Sequence, residues 1–174
     1  MLDISRIQSG KLQLNLEPVE LPQLLQETFE RFGAQLSEVG CRASLQLPDS
    51  LLLRADRLRL EQVLMNLLTN AIRYAPGAPI TVQLAAQEGR ALLDFQDEGP
   101  GIAPQDQERV FRRFERLSPE RHTSGLGLGL YIVREIVHAH GGAVSLRSAP
   151  AKGTCFTLQL PLLEAAAREV AGAA

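Results

Sequence analysis

Residues Ser124 to Gly142 read SGLGLGLYIVREIVHAHGG. Gly125, Gly127 and Gly129 alternate with Leu126, Leu128 and Leu130, and an apolar-periodic helix follows at once. Each glycine costs a helix about 1 kcal/mol against alanine, so something other than helix formation requires the bare backbone. A glycine-rich loop feeding a helix presents backbone N–H groups where the helix dipole favours an anion. Lacking Cβ atoms, Gly125, Gly127 and Gly129 can crowd against phosphate oxygens. No Gly-Lys-Ser/Thr follows, so the stretch is not a Walker A loop. Nor does it follow a first strand as the dinucleotide fingerprint does. The polar run SPERHTSG precedes it and reads as a lid.

Upstream, DRLRLEQVLMNLLTNAIRYAP is the strongest helix, with Asp56 as N-cap and Pro76-Gly77 as its stop. An earlier helix carries Leu21, Leu24, Leu25, Phe29 and Phe32 at helical spacing and ends near Gly40. CRASLQLP alternates as a strand. Two hairpins are predicted, one turning at Glu88-Gly89 and one running from Ala143 to Leu162; in the latter Thr154, Phe156, Leu158 and Leu160 share a face. APQDQERVFRRFERL reads as a short helix or a pair of turns. LQLNLEPVEL reads as an extended connector, and the tail EAAAREVAGAA has helix propensity but no evident packing partner. Helices alternating with strand pairs imply an α/β fold, a two-layer sandwich of one mixed β-sheet covered on one face by helices.

Composition narrows the function classes. The 174 residues, 45% hydrophobic and 22% charged, suit a single globular domain. Eighteen basic against 20 acidic residues give a net charge of -2, which points away from nucleic acid as partner. No apolar run approaches the roughly 20 residues that span a bilayer, and no direct membrane contact by this domain is expected. Cys41 and Cys155 lack CxxC spacing and read as reduced thiols of a cytoplasmic protein.

Three groups of residues could carry chemistry. Asn66 and Asn70 lie one helical turn apart, with Gln62 before them and Arg73 and Tyr74 after, opposite Leu60, Val63, Leu64, Leu67, Ala71 and Ile72. The stripe is either an ordinary solvated face or a row aimed at a ligand. Exposed helix faces favour Glu, Lys, Gln and Arg over Asn, and an amide oxygen is a hard ligand suited to Mg²⁺. FQDEGPGI ends a strand in Asp97, with Gly99 and Gly101 flanking Pro100. It is either a plain turn or a carboxylate placed to accept from an exocyclic amine such as adenine's. His138 and His140 do not share a helix face and make a poor metal pair; both are expected to answer the helix dipole. His122 is expected to be a solvated loop residue.

Taken together, these motifs resemble the catalytic, ATP-binding domain of sensor histidine kinases, within the ATPase family shared with Hsp90, DNA gyrase and MutL. The resemblance runs to about Leu162. EQVLMNLLTNAIRYAP is similar to the family's N box, DEGPGI to its first glycine box, VFRRFERL to its F box, GLGLGLYIVREIVHAHGG to its second glycine box, and KGTCFTLQLP to its closing strand. The resemblance implies ATP and Mg²⁺ as cofactors. Asp97 would take the adenine amine, with Tyr74, Gly99, Gly101 and Ile102 about the base. Asn70 would hold the metal and Asn66 would orient the phosphates. Gly125, Leu126, Gly127, Leu128 and Gly129 would bound the triphosphate. Arg73 stands where the family usually has Lys. Asn66, Arg73, Arg113 and Arg116 would act in transfer, with Phe111 and Phe114 anchoring the lid base. Ala151 replaces a common glycine, a change expected to matter little.

One departure stands out: no phospho-accepting histidine motif is present. LDISRIQSGKLQLNLEPVEL resembles the end of a dimerisation helix and its linker. The expected organisation is therefore the end of a dimerisation helix and its linker over 1–18, an ATP-binding domain over 19–162 and a tail over 163–174, in a C-terminal piece of a longer kinase, membrane-anchored or not. The expected partners are the parent's dimerisation domain, which carries the acceptor histidine, and a response regulator. The alternatives are a nucleotide-binding sensor module and a serine kinase of the anti-sigma-factor type. A gyrase- or MutL-like ATPase is disfavoured, because Asn66 stands where a catalytic glutamate is expected.

Overall fold

The computed structural model describes residues 12–115 and 126–163. A five-stranded sheet has the order β2-β4-β5-β7-β6, formed by Ala43–Gln46 (β2), Ile80–Gln87 (β4), Arg90–Asp97 (β5), Ala143–Ser148 (β6) and Thr154–Pro161 (β7). Only the β2–β4 pair is parallel. Helices α1 (Leu21–Glu38), α2 (Arg57–Tyr74) and α3 (Gly129–Ala139) supply the covering layer. The expected two-layer α/β sandwich is the observed one.

Period-two patterning sets the faces. Ile80, Val82 and Leu84 of β4, Ala91, Leu93 and Phe95 of β5, and Phe156, Leu158 and Leu160 of β7 are buried in one core cluster with the apolar sides of the helices. Gln83 and Gln96 face the other way and are exposed. The first hairpin closes through Glu88 at φ 51° and Gly89 at φ 73°. That double left-handed pair suits the right-handed twist of the strands it joins.

Local chemistry starts and stops the helices. Pro22 sits in the first turn of α1, where its missing N–H costs nothing. Asp56 caps α2, its Oδ1 accepting from Arg59 N–H at 3.1 Å. Ion pairs Arg31–Glu61 and Arg57–Glu27 join the outer faces of α1 and α2.

One strand pair is not legible in the sequence. The connector's end, Glu17–Glu20 (β1), pairs antiparallel with Leu52–Ala55 (β3), a strand not anticipated from LLLRA. This small sheet joins the large one through a bridge between Leu53 and Leu162. The F-box segment forms two 3-10 turns, Pro104–Asp106 and Arg109–Phe111, the second of the two forms expected for it.

Candidate functional site

Asp97 is the last residue of β5. It is even-spaced from Phe95, Leu93 and Ala91, so it points into the covered face and is buried. Its Oδ1 accepts from Gly99 N–H at 2.9 Å. Burial pushes the carboxyl above the ordinary carboxylate range, and hydrogen bonds from the backbone of Gly99 and Thr154 only partly oppose it.

The loop after Asp97 is strapped down on both sides. Glu98 N–H donates to Pro79 O at 3.1 Å, and Ala151 N–H donates to Pro100 O at 2.7 Å. Ser148 is the hub. Its hydroxyl accepts from Ile102 N–H at 2.7 Å and donates to Gly153 O at 2.7 Å, so toward Thr154 Oγ1 at 3.1 Å it can only accept. Gln107 Nε2 donates to Ser148 O at 2.7 Å and to Ile102 O at 3.2 Å. Neither Ser148 nor Gln107 stood out in the sequence, since single hydroxyls and amides carry no spacing signal.

The glycines here are required by the chain itself. A Cβ on Gly99 would lie 2.4 Å from Ala75 Cβ at the end of α2, and one on Gly101, at φ +72°, would lie 1.9 Å from Ala149 O. Packing of the loop against α2 and the β6–β7 turn therefore explains both. Ala151 has φ 60°, in the left-handed region that costs a side chain roughly 1–2 kcal/mol. The expectation that replacing a glycine there matters little is corrected on that ground.

On α2, Asn66, Asn70 and Arg73 are half-buried and Tyr74 is exposed at the helix end. Asn66 Nδ2 is buried with no hydrogen-bond partner among the described residues. Such an orphan costs about 1–3 kcal/mol, so a plain solvated face does not describe this position. Across from it, a Cβ on Gly129 would come within 3.5 Å of Asn66 Oδ1. Gly129 opens α3, and its N-cap residue, Leu128, supplies no side-chain cap. The side chain that carries the orphaned donor thus borders the first residue of α3.

The second glycine box is held by the F-box turn. Phe114 N–H donates to Gly127 O at 3.0 Å. Gly127, at φ +65°, could not carry a Cβ, which would lie 2.7 Å from Glu115 O. Leu128 is buried, whereas Leu126 is 72% exposed. Phe111 anchors this region, meeting Phe156 edge-on with ring centroids 6.3 Å apart. Phe114 does not anchor it through its ring, which is 64% exposed. Its left-handed φ of 59° turns the ring outward while its backbone makes the contact. Arg113 lies over the Tyr131 ring at 4.7 Å. Arg116, His122 and Gly125 lie outside the described residues.

His138 is exposed. His140 does more than answer the α3 dipole: its Nδ1 lies 2.8 Å from Ile136 O, and its Nε2 accepts from Asp56 N–H at 3.0 Å.

Comparison with known proteins agrees with this geometry. Residues 55–164 match the family described as histidine kinase-, DNA gyrase B- and HSP90-like ATPase. Among relatives, the sensor histidine kinase MtrB of Mycolicibacterium paratuberculosis is 34% identical over 166 residues, covering 94% of this chain and 29% of the relative. The circadian input-output histidine kinase CikA of Synechococcus elongatus is 34% identical over 167 residues, covering 92% and 22%. The chain therefore spans less than a third of the length of these curated relatives. Among solved structures, full-length ShkA in complex with AMPPNP superposes with TM-score 0.80 at 31% identity, covering 92% of this chain and 34% of that one. Histidine kinase AdeS of Acinetobacter baumannii gives 0.77 at 28%, covering 91% and 73%. The chain belongs to the histidine kinase-, DNA gyrase B- and HSP90-like ATPase family, and within it matches the catalytic part of sensor histidine kinases.

Proposed function

We propose that this chain binds Mg²⁺-ATP between α2 and the start of α3 and presents the γ-phosphoryl group to a histidine on another domain. The orphaned Asn66 Nδ2 is the observation that carries this reading. A buried amide with an unsatisfied donor, on a residue that borders the start of α3, fits a phosphate oxygen, which the helix dipole also favours. Asn70, one turn further on α2, presents an amide oxygen of the kind Mg²⁺ accepts. The metal would neutralise charge on the phosphates; the chain's part is to hold and orient them. Asp97 lies at the C-terminal end of α2, because its turn packs against Ala75. Its carboxylate would accept from the adenine amine there, with Tyr74 and Ile102 beside the base. Arg73 and Arg113 would add charge near the transferred group.

In the transfer, the bond from the γ-phosphorus to the β,γ-bridging oxygen breaks. A new bond forms to an imidazole nitrogen, and ADP leaves. Catalysis of such a step is chiefly positioning and charge stabilisation. The chain's own described histidines are badly placed. His140 lies eleven residues from Gly129, about 16 Å along the helix, and both its ring nitrogens are engaged. The acceptor is therefore assigned to a dimerisation domain, with the residues before β1 as linker and a response regulator as the next recipient.

Calorimetric titration with ATP and GTP tests the site. Guanine presents a carbonyl where adenine presents its amine, so ATP should bind and GTP should not. Asp97→Asn should lose ATP while remaining folded. Equal affinity for the two nucleotides would overturn the assignment of Asp97.

A further inference from the structure

We infer that His140 is a positioning residue for the phosphate end of the site, acting by fixing the axial register of α3 against α2. The inference rests on the nucleotide-binding reading above.

The two helices touch at both ends of a shared span. At one end, Asp56 N–H, immediately before α2, donates to His140 Nε2 at 3.0 Å, immediately after α3. At the other end, Asn66 of α2 borders Gly129, the first residue of α3. Ten residues separate the two contacts on α2 and eleven on α3, about 15–16 Å on each. The helices therefore run antiparallel here, with their buried faces in one core cluster.

Between the ends both helices bury apolar side chains in that cluster: Leu60, Val63 and Leu64 on α2, Val133, Ile136 and Val137 on α3. Apolar packing is non-directional and sets the distance between helices better than their slide along the axis. The hydrogen bond at the His140 end is directional. Because Asp56 N–H is the donor, Nε2 carries the lone pair and Nδ1 the proton, which Nδ1 donates to Ile136 O at 2.8 Å. The ring is thus locked to α3 by one nitrogen and to the entry of α2 by the other. A slide of α3 would break that bond and change the gap between Gly129 and Asn66 by the same amount.

Asp56 extends the connection. Its Oδ1 caps α2 at Arg59 N–H, and its Oδ2 accepts from Asn15 N–H at 3.0 Å. The segment entering the domain, the start of α2 and the end of α3 therefore meet at one residue.

Binding of ATP and of adenosine by wild type, His140→Leu and His140→Gln tests the idea. Gln places an amide oxygen near the position of Nε2; Leu offers no acceptor. Loss of one directional hydrogen bond should weaken ATP binding about three- to tenfold in the Leu variant. Adenosine, which needs only the Asp97 end, should bind as in wild type, and Gln should restore ATP binding. Independently of nucleotide, the NMR signals of the Asn66 side-chain amide and the Gly129 backbone amide should move in His140→Leu and return in His140→Gln. If the Leu variant does not fold, His140→Asn, whose amide stops short of Asp56, carries the same comparison. Unmoved Asn66 and Gly129 signals, an equal loss of ATP and adenosine, or a Gln variant that behaves like Leu would each overturn the inference. Failure of wild type to bind ATP would instead overturn the nucleotide reading, and the two NMR signals would still decide the register.

Discussion

Gly99 N–H rests on the Asp97 carboxylate at 2.9 Å, and a Cβ on Gly99 would stand 2.7 Å from that same oxygen. The turn and the carboxylate are one unit. Burial raises the Asp97 carboxyl above its ordinary range, so the folded state holds that proton more tightly than the unfolded chain. Its contribution to stability is then greatest below the ordinary carboxylate range and is lost as pH rises from there through the raised folded value. Denaturant melts at several pH values should show that downward slope in wild type and lack it in Asp97→Asn. A slope of the opposite sign from this residue would contradict the account.

Asn66 makes a second case of stability given up for a site. Its orphaned Nδ2 is a liability to the unliganded fold. Asn66→Ala removes it and improves helix propensity, so stability should rise by about 0.5–1 kcal/mol. ATP affinity should fall at the same time. Asn70→Ala should instead weaken Mg²⁺-dependent ATP binding far more than metal-free ADP binding. A destabilised Asn66→Ala variant would mean that its amide has a structural partner in the free protein.

Ala151 offers a substitution away from the proposed contacts. Left-handed backbone costs an alanine roughly 1–2 kcal/mol, while glycine adds about 0.5–1 kcal/mol of unfolded-state entropy. Ala151→Gly should therefore stabilise by about 0.5–1 kcal/mol, with nucleotide affinity unchanged. Thermal and denaturant melts read the gain. No gain would mean that the φ of 60° carries no strain.

Periodicity explains how much of this was legible in the sequence. The helix of Asn66 and Asn70, its Asp56 cap, both hairpins and the buried face of β7 all announced themselves through spacing. The strand Leu52–Ala55 did not, because four residues beside a longer helix leave no alternation to read. The loop glycines were legible as special, and the structure adds a reason that lies within the chain. Gly99, Gly101 and Gly127 make room for Ala75, Ala149 and Glu115 of the same chain, residues 24, 48 and 12 positions away in sequence. Ser148 and His140 act through partners 46 and 84 residues away, and no local pattern encodes such pairs.

Incubation with γ-labelled ATP tests whether the phosphoryl group goes to a histidine outside this domain. Alone, the chain should bind ATP and acquire no acid-labile, base-stable phosphate. His138 is exposed at the far end of α3, and His140 is committed to Asp56 and Ile136. With a separate dimerisation domain carrying an acceptor histidine, acid-labile label should appear on that domain, slowly, because the effective concentration a covalent linker provides is missing. Acid-labile label on this chain by itself would contradict the account and place the acceptor among its own three histidines.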